Sequence, residues 1–154
     1  MDNSNAAIMV RKERIVMLSV LHVITNFSAV GGAEMMLSRL IKAQPNVKHF
    51  IVSLMKINQE IYSETLEQCS YVDSLSWNGI NTLKTILKLK KVIKELNPDI
   101  IQGWMYHANV LTSLSLMGVK DRPKVFWGIH HSLTSIKEES LSTKIALIFS
   151  RYLS

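Results

Sequence analysis

Apolar and polar positions along the chain follow two alternating patterns, which predict strands and helices in turn. Apolar runs predict strands buried on both faces of a sheet, and they cover residues 16–25, 47–55, 71–75, 99–104 and 124–129. Apolar residues at every third or fourth position predict helices, and these cover residues 33–44, 59–69, 82–96, 109–117 and 144–153. We therefore predict an α/β fold: a Rossmann-like parallel sheet of about five or more strands with helices on both faces.

The helix predicted for residues 82–96 has the clearest pattern, because its apolar and basic residues lie on different faces. The apolar stripe consists of Ile86, Leu89, Ile93 and Leu96, and the basic face consists of Lys84, Lys88 and Lys91. Two interpretations of the lysines stay open. They form an ordinary solvated face, or they contact a membrane surface, which the positive net charge of the chain favours.

The length of the chain corresponds to about one domain, and its composition allows a substantial core. Hydrophobic residues make up 47% of the 154 residues, so general disorder is not expected. The net charge of +6 favours anionic partners such as phosphorylated ligands or lipid headgroups. The single cysteine, Cys69, excludes an internal disulfide. We predict a flexible arm over residues 1–14 and one Rossmann-like domain over residues 15–154.

A glycine-containing turn lies between the first predicted strand and the first predicted helix. It carries Gly31, Gly32 and Glu34, and a glycine pair allows a sharp turn and a close approach of the backbone to a ligand. The free N–H groups at the start of the helix suit an anion such as a phosphate. Two structural interpretations stay open: the glycines serve only the turn geometry, and Glu34 only favours the helix N-terminus by its charge.

The common nucleotide-binding patterns are absent from this turn. It contains no Gly-x-Gly-x-x-Gly, and the second predicted strand ends in Ser53-Leu54-Met55 without an acidic residue. A nicotinamide or flavin cofactor is therefore disfavoured. The turn also lacks the Gly-Lys-Ser of a P-loop.

Two further loops at the same predicted edge of the sheet carry histidines and small polar residues. Residues 103–109 follow the fourth strand and include Tyr106, His107 and Asn109. Residues 128–132 follow the fifth strand and include His130 and His131. Ligands of open parallel sheets bind at the carboxyl ends of the strands, so we predict a functional face at this edge.

The histidine pair His130-His131 lies on an extended segment, where adjacent side chains point to opposite sides. One of the two rings could donate a hydrogen bond to a hydroxyl or an oxyanion in the cleft; a purely structural role is the alternative. A metal site is disfavoured, because no carboxylate or cysteine joins these residues and His107 at ligand spacing. Asn109 is expected to cap a helix or to hold a neighbouring loop.

Together and in this order, these motifs resemble the N-terminal domain of the GT-B glycosyltransferases called group 1 or family 4, the glycosyltransferase subfamily 4-like N-terminal domain. The resemblance covers nearly the whole chain. Its carriers are VLHVI at residues 20–24, GGAE at 31–34, KVIKELNPDII at 91–101, YHAN at 106–109 and WGIHHS at 127–132.

This resemblance implies two Rossmann-like domains that face each other across a cleft. The N-terminal domain would hold the acceptor, and the C-terminal domain would bind a nucleotide-diphosphate sugar as co-substrate, with no cofactor and no metal. The implied activity is that of a retaining glycosyltransferase in polysaccharide, lipopolysaccharide or glycolipid synthesis. It would lie in the cytoplasm or peripherally at the inner face of the membrane.

The resemblance also implies roles for the loop residues, in three groups. Gly31, Gly32 and Glu34 would lie at the donor diphosphate in the cleft. The catalytic histidine at the transferred sugar would be His130 or, as the second choice, His131. The acceptor side would be formed by Tyr106, His107 and Asn109.

The acidic donor-binding motif of such enzymes belongs to a C-terminal domain that the 154 residues do not contain. We therefore expect the activity in a longer protein, and this chain alone to be inactive. The alternative function is a non-catalytic Rossmann-like module that binds a phosphorylated small molecule or a partner protein. Nucleic-acid binding is not expected, because the lysines lack interleaved aromatic residues.

Overall fold

The computed structural model describes residues 17–128, and every strand and helix predicted within this range is present. The order is β1 (Ser19–Ile24), α1 (Gly32–Ala43), β2 (Lys48–Ser53), α2 (Ser63–Glu67), β3 (Cys69–Ser74), α3 (Thr82–Leu96), β4 (Ile100–Trp104), α4 (Tyr106–Ser115) and β5 (Lys124–Gly128). The arm predicted for residues 1–14 and the helix predicted for residues 144–153 lie outside the described residues.

The five strands pair in parallel within one sheet, in the order β3-β2-β1-β4-β5. The chain moves outward from β1 to β3 and then crosses to the other side of β1 to form β4 and β5. The strand order therefore reverses between β1 and β4, whose last residues Ile24 and Trp104 are register partners. A crevice outside the carboxyl ends of two such strands is the usual ligand site of open α/β sheets.

Helices cover both faces of the sheet, as the apolar patterns predict. On one face, Leu89 of α3 and Leu111 of α4 share a core with Leu21 of β1. On the opposite face, Leu37 of α1 packs with Ile24 of β1. Because successive side chains of a strand point to opposite faces, the central strand β1 supplies both cores and is therefore apolar along almost its whole length.

α1 begins one residue before its predicted start, and two helices begin three or four residues away from theirs. α2 begins at Ser63, because Asn58 Oδ1 accepts hydrogen bonds from the N–H groups of Glu60 (3.0 Å) and Ile61 (3.1 Å) and holds this segment in a turn. α4 begins at Tyr106, three residues before the predicted start. Its first turn is missed because it mixes the polar residues His107 and Asn109 with apolar ones and so shows no apolar stripe. Within residues 17–128, no helix is long and apolar enough to span a membrane.

Candidate functional site

The strand-order reversal brings two helix N-termini to one edge of the sheet. α1 follows the carboxyl end of β1 after a short loop, and α4 follows β4 with a single residue, Met105, between them. Because β1 and β4 are neighbours, both helices begin beside the same crevice. Their first-turn N–H groups have no partner within the helix and present partial positive charge at this edge.

The two glycines of the β1–α1 turn differ in the space around them. Gly31 precedes α1 in an extended conformation, with φ −135° and ψ 176°, and neither glycine of the pair has a positive φ. Space is the constraint: a Cβ on Gly31 would lie 2.5 Å from Glu34 Oε2 and 3.2 Å from Glu34 Cδ. A Cβ on Gly32 would meet nothing within 4 Å. A side chain at Gly31 would therefore displace the end of the Glu34 side chain, whereas Gly32 borders open space at the helix N-terminus.

Glu34 places a carboxylate in the first turn of α1 with only 8% of the residue exposed. No described group donates a hydrogen bond to it, and the nearby Tyr62 hydroxyl donates to Ala29 O instead, at 2.6 Å. Burial, and then the Glu34 charge, raise the pKa of Tyr62. With no donor from the described residues, the Glu34 carboxylate is available to accept hydrogen bonds from the hydroxyl groups of a ligand.

The contrast between the two glycines gives a direct test of this geometry. We expect Gly31→Ala to lower the free energy of unfolding by about 1 kcal/mol, the low end of the range for overpacking, because only the end of the flexible Glu34 side chain must move. Gly32→Ala should leave it unchanged or raise it by up to about 1 kcal/mol, since alanine is the better helix former. Urea denaturation of both variants measures the difference; equal losses for the two would contradict the described packing.

The β4–α4 junction holds a strained residue. Met105 has φ 74° and ψ 160°, a conformation that costs a residue other than glycine on the order of 1–3 kcal/mol and tends to occur at functional sites. Gly103, two residues earlier, lies directly against α4: a Cβ there would collide with Asn109 Oδ1 and lie 3.3 Å from Asn109 Cα. The junction is therefore both tight and strained.

Asn109 is fully buried in the first turn of α4, and neither its amide oxygen nor its amide nitrogen has a hydrogen-bond partner. It does not cap the helix as expected, because its N–H donates to Met105 O at 3.1 Å from within the first turn. The hydroxyls of Thr25, which directly follows β1, and of Thr112, one turn beyond Asn109, are also buried without a partner. An unpaired buried amide lowers the free energy of unfolding by about 1–3 kcal/mol. A ligand that formed hydrogen bonds with these groups would offset this cost.

The other predicted acceptor-side residues, Tyr106 and His107, share the first turn of α4. Tyr106 is buried against Val110. His107 is half-buried, with its ring 5.3 Å from the ring of Trp77. Burial lowers the pKa of His107, so its ring is neutral at pH 7.

The structure thus brings two of the three predicted groups, after β1 and after β4, to neighbouring strand ends. His130 and His131 lie outside the described residues. Thr25 and Met105 are additional residues of this edge. Thr25 could have been found from the sequence, because it is a polar residue at the end of a buried apolar strand.

A buried hydrogen-bond array supports the site from the α1 side of the sheet. Trp104 Nε1 donates to His22 Nδ1 at 3.3 Å, His22 Nε2 pairs with His49 Nδ1 at 3.1 Å, and His49 Nε2 contacts Gln44 O at 3.1 Å. A carbonyl only accepts and an indole N–H only donates. Both histidines must therefore be neutral and carry their proton on Nε2.

This array runs diagonally across β2, β1 and β4, from the end of α1 to the residue before Met105. Burial, and then His49, lower the pKa of His22 to about 3. Burial also lowers the pKa of His49, against the raising effect of its contact with Gln44 O. No sequence motif singles out this array, because its members are far apart in the chain.

These features define a class of protein: a Rossmann-like parallel α/β domain with unpaired polar groups at its strand-order reversal. No family model and no curated protein matches the chain. Among solved structures, it is similar to the apo form of a lipopolysaccharide outer core galactosyltransferase, WaaB, with a TM-score of 0.63 and 15% sequence identity. The match covers 86% of this chain and 37% of that one. The predicted Rossmann-like fold of a GT-B half is confirmed by this similarity.

Among residues 17–128, no three His, Cys, Asp or Glu side chains are grouped so that they could hold a metal ion.

Proposed function

We propose that the chain is the acceptor-side domain of a longer, nucleotide-sugar-dependent retaining glycosyltransferase of the subfamily 4 type. The observation that carries the proposal is the set of unpaired polar groups beside the β1–β4 crevice: Glu34 on the α1 side, and Thr25 and Asn109 on the α4 side. Saccharides present many hydroxyl groups that both donate and accept hydrogen bonds, which matches a carboxylate, a hydroxyl and an amide.

The residues beside the crevice would bind different parts of the two substrates, according to their charge. The N-terminus of α1, with open space at Gly32, would face the donor diphosphate and help to stabilise its charge without a metal. The Glu34 carboxylate suits a sugar hydroxyl better than the negatively charged phosphates. Asn109 would bind the acceptor, with Tyr106 and His107 forming the adjoining wall. His130, and after it His131, stays our candidate for the transferred sugar on the strength of the family resemblance.

The similarity to a lipopolysaccharide galactosyltransferase supports a transferase rather than the non-catalytic alternative. We propose a role in polysaccharide, lipopolysaccharide or glycolipid synthesis, in the cytoplasm or at the inner face of the membrane. The chain spans 37% of the length of that neighbour, so the donor-binding domain is proposed to follow in the longer protein. A module that binds a phosphorylated molecule or a partner protein is the outcome to expect if no sugar is transferred.

The test is an activity assay on the chain together with the sequence that follows it in its gene. Radiolabelled UDP-galactose is the first donor, followed by other uridine, guanosine and adenosine diphosphate sugars. We expect sugar transfer, and we expect Asn109→Ala to lower kcat/KM by about tenfold or more, because one hydrogen bond to the substrate is lost. The stability of this variant should change by less than about 1 kcal/mol, because removing an unpaired buried amide relieves its burial cost and offsets the packing that is lost.

Asn46→Ala is the matched control, because Asn46 is exposed at the opposite edge of the sheet. It should retain full activity. If Asn109→Ala were equally active with every donor that is turned over, the crevice would not be the site. Absence of turnover, combined with tight binding of a phosphorylated molecule, would favour the non-catalytic module.

A further inference from the structure

The outer side of α3 carries an exposed apolar ridge, defined by Ile80, Leu83 and Leu87. These residues are 94%, 71% and 60% exposed. Leu83 and Leu87 are one helical turn apart and so lie on the same side of α3, and Ile80 directly precedes the helix. Single exposed aliphatic residues are ordinary, whereas neighbouring ones form a patch of the kind that marks an interaction surface.

Lysines flank this ridge on the same helix. α3 contains five lysines and one glutamate. Lys84 and Lys88 are exposed along one side of the ridge, and Lys91 and Lys94 continue its line toward the end of the helix. The residues that α3 buries against the sheet, Thr85, Leu89, Val92 and Ile93, lie on the opposite side. The helix therefore has a buried face, and an outer face that is both apolar and basic.

We propose that this outer face of α3 binds the surface of an anionic lipid bilayer. Its aliphatic side chains would enter the boundary between headgroups and acyl chains, and its lysines would contact the anionic headgroups. A nucleic acid would use the lysines but not the ridge. A second copy of the chain in a symmetric dimer would bring the lysines of the two copies together, which is unfavourable. An anionic membrane matches both the apolar and the charged residues.

The position of the ridge connects it to the crevice. α3 follows β3, so its N-terminal half, which holds the ridge, lies at the carboxyl edge of the sheet. Trp77, in the segment that leads into α3, contacts His107 in the first turn of α4. A bilayer bound to the ridge therefore lies on the side of the proposed acceptor residues. Together with the proposed function, this placement indicates a lipid-linked acceptor whose reactive hydroxyl is presented from the membrane.

The binding step is tested on the chain by sedimentation with lipid vesicles, without any sugar donor. We expect binding to vesicles of mixed phosphatidylglycerol and phosphatidylcholine, and much weaker binding to phosphatidylcholine alone. The double variants Leu83→Asp/Leu87→Asp and Lys84→Glu/Lys88→Glu should each weaken binding by about tenfold or more. Met36→Asp is the matched control: Met36 is 49% exposed on α1, on the other face of the sheet, and its replacement should have no effect.

Circular dichroism and thermal unfolding confirm that the variants are folded, as expected for exposed positions. Two results would overturn the proposal. In the first, the leucine variant binds vesicles as well as the unmodified chain does, so that the ridge has no role. In the second, the chain forms a dimer that Leu83→Asp/Leu87→Asp dissociates, and it does not bind vesicles.

The acceptor class is tested separately in the longer protein. The leucine variant should lose transfer to a lipid-linked acceptor in vesicles but keep transfer to a detergent-dispersed one. Equal loss with both acceptors would contradict the proposed lipid presentation. Absence of transfer in the unmodified protein would instead contradict the proposed function and leave the vesicle-binding result standing.

Discussion

Replacing His22 by leucine is expected to lower the free energy of unfolding by about 2–5 kcal/mol at pH 7.5. The replacement removes the two buried hydrogen bonds that His22 makes, to His49 Nδ1 and to Trp104 Nε1, and the loss of such a bond costs about 1–3 kcal/mol. The size of the leucine side chain keeps the cavity small, so the effect reports on the hydrogen bonds. Urea denaturation monitored by circular dichroism measures it.

The pH dependence of the free energy of unfolding of His22→Leu tests whether the loss of stability comes from the buried histidine. The pKa of His22 is lowered from 6.5 to about 3 in the folded chain, so between these values the unfolded state binds the additional proton. This residue therefore makes the chain less stable as the pH falls through that range, by about 1.4 kcal/mol per pH unit, and contributes no such slope above about pH 6.5. His22→Leu should remove this part of the slope, and its stability should approach that of the unmodified chain on acidification.

His107→Leu is the control for histidine replacement in general. His107 is half-buried and contacts Trp77, and it does not belong to the buried array. Its replacement should change the stability at pH 7.5 by less than about 1 kcal/mol. If His22→Leu were equally mild and left the pH slope unaltered, the array would not have the described hydrogen bonds.

Gly103→Ala is expected to lower the free energy of unfolding by about 2–4 kcal/mol, more than most single methyl additions. The new Cβ would collide with Asn109 Oδ1 and would lie 3.3 Å from the backbone of α4 at Asn109 Cα. Side-chain rotation alone cannot relieve a contact with backbone, so α4 must shift away from β4. Denaturation curves of the variant at pH 7.5 measure the loss.

A double variant separates the two sources of strain. Gly103→Ala/Asn109→Ala removes the amide but keeps the backbone contact, so it should recover only part of the lost stability. Asn109→Ala alone should be close to neutral, because relief of the unpaired buried amide offsets the packing that is lost. Full recovery in the double variant would show that the side chain alone limits the packing. No loss in Gly103→Ala would contradict the close approach of β4 and α4.

The sequence predicts the order of elements because a buried parallel sheet imposes simple apolar patterns. α3 is the best case: both of its ends, Thr82 and Leu96, agree with the prediction, since its buried stripe repeats at helical spacing. The start of α4 at Tyr106 is missed because its first turn mixes the polar His107 and the buried polar Asn109 with apolar residues. Patterns of polarity describe ordinary cores, and they fail where a polar group is buried without a partner.

The site is predictable in its location but not in its physical detail. The loops after β1 and β4 are found because strand ends can be read from the sequence, and parallel strands share one carboxyl edge. The reason for Gly31 is not readable, since it depends on where the Glu34 side chain lies. The pairing of His22 with His49 and Trp104 depends on strand order and register, which no local pattern contains.

Hydrogen exchange measured by mass spectrometry on the longer protein tests the central claim, a sugar-nucleotide crevice between β1 and β4. Amide exchange is compared with and without UDP-galactose, or with whichever nucleotide sugar is turned over. We predict slower exchange in residues 25–35 and 103–112, at the two helix starts beside the crevice, and unchanged exchange at the opposite edge, in residues 44–48 and 97–100. Protection confined to that opposite edge, or turnover without protection of either helix start, would contradict the account.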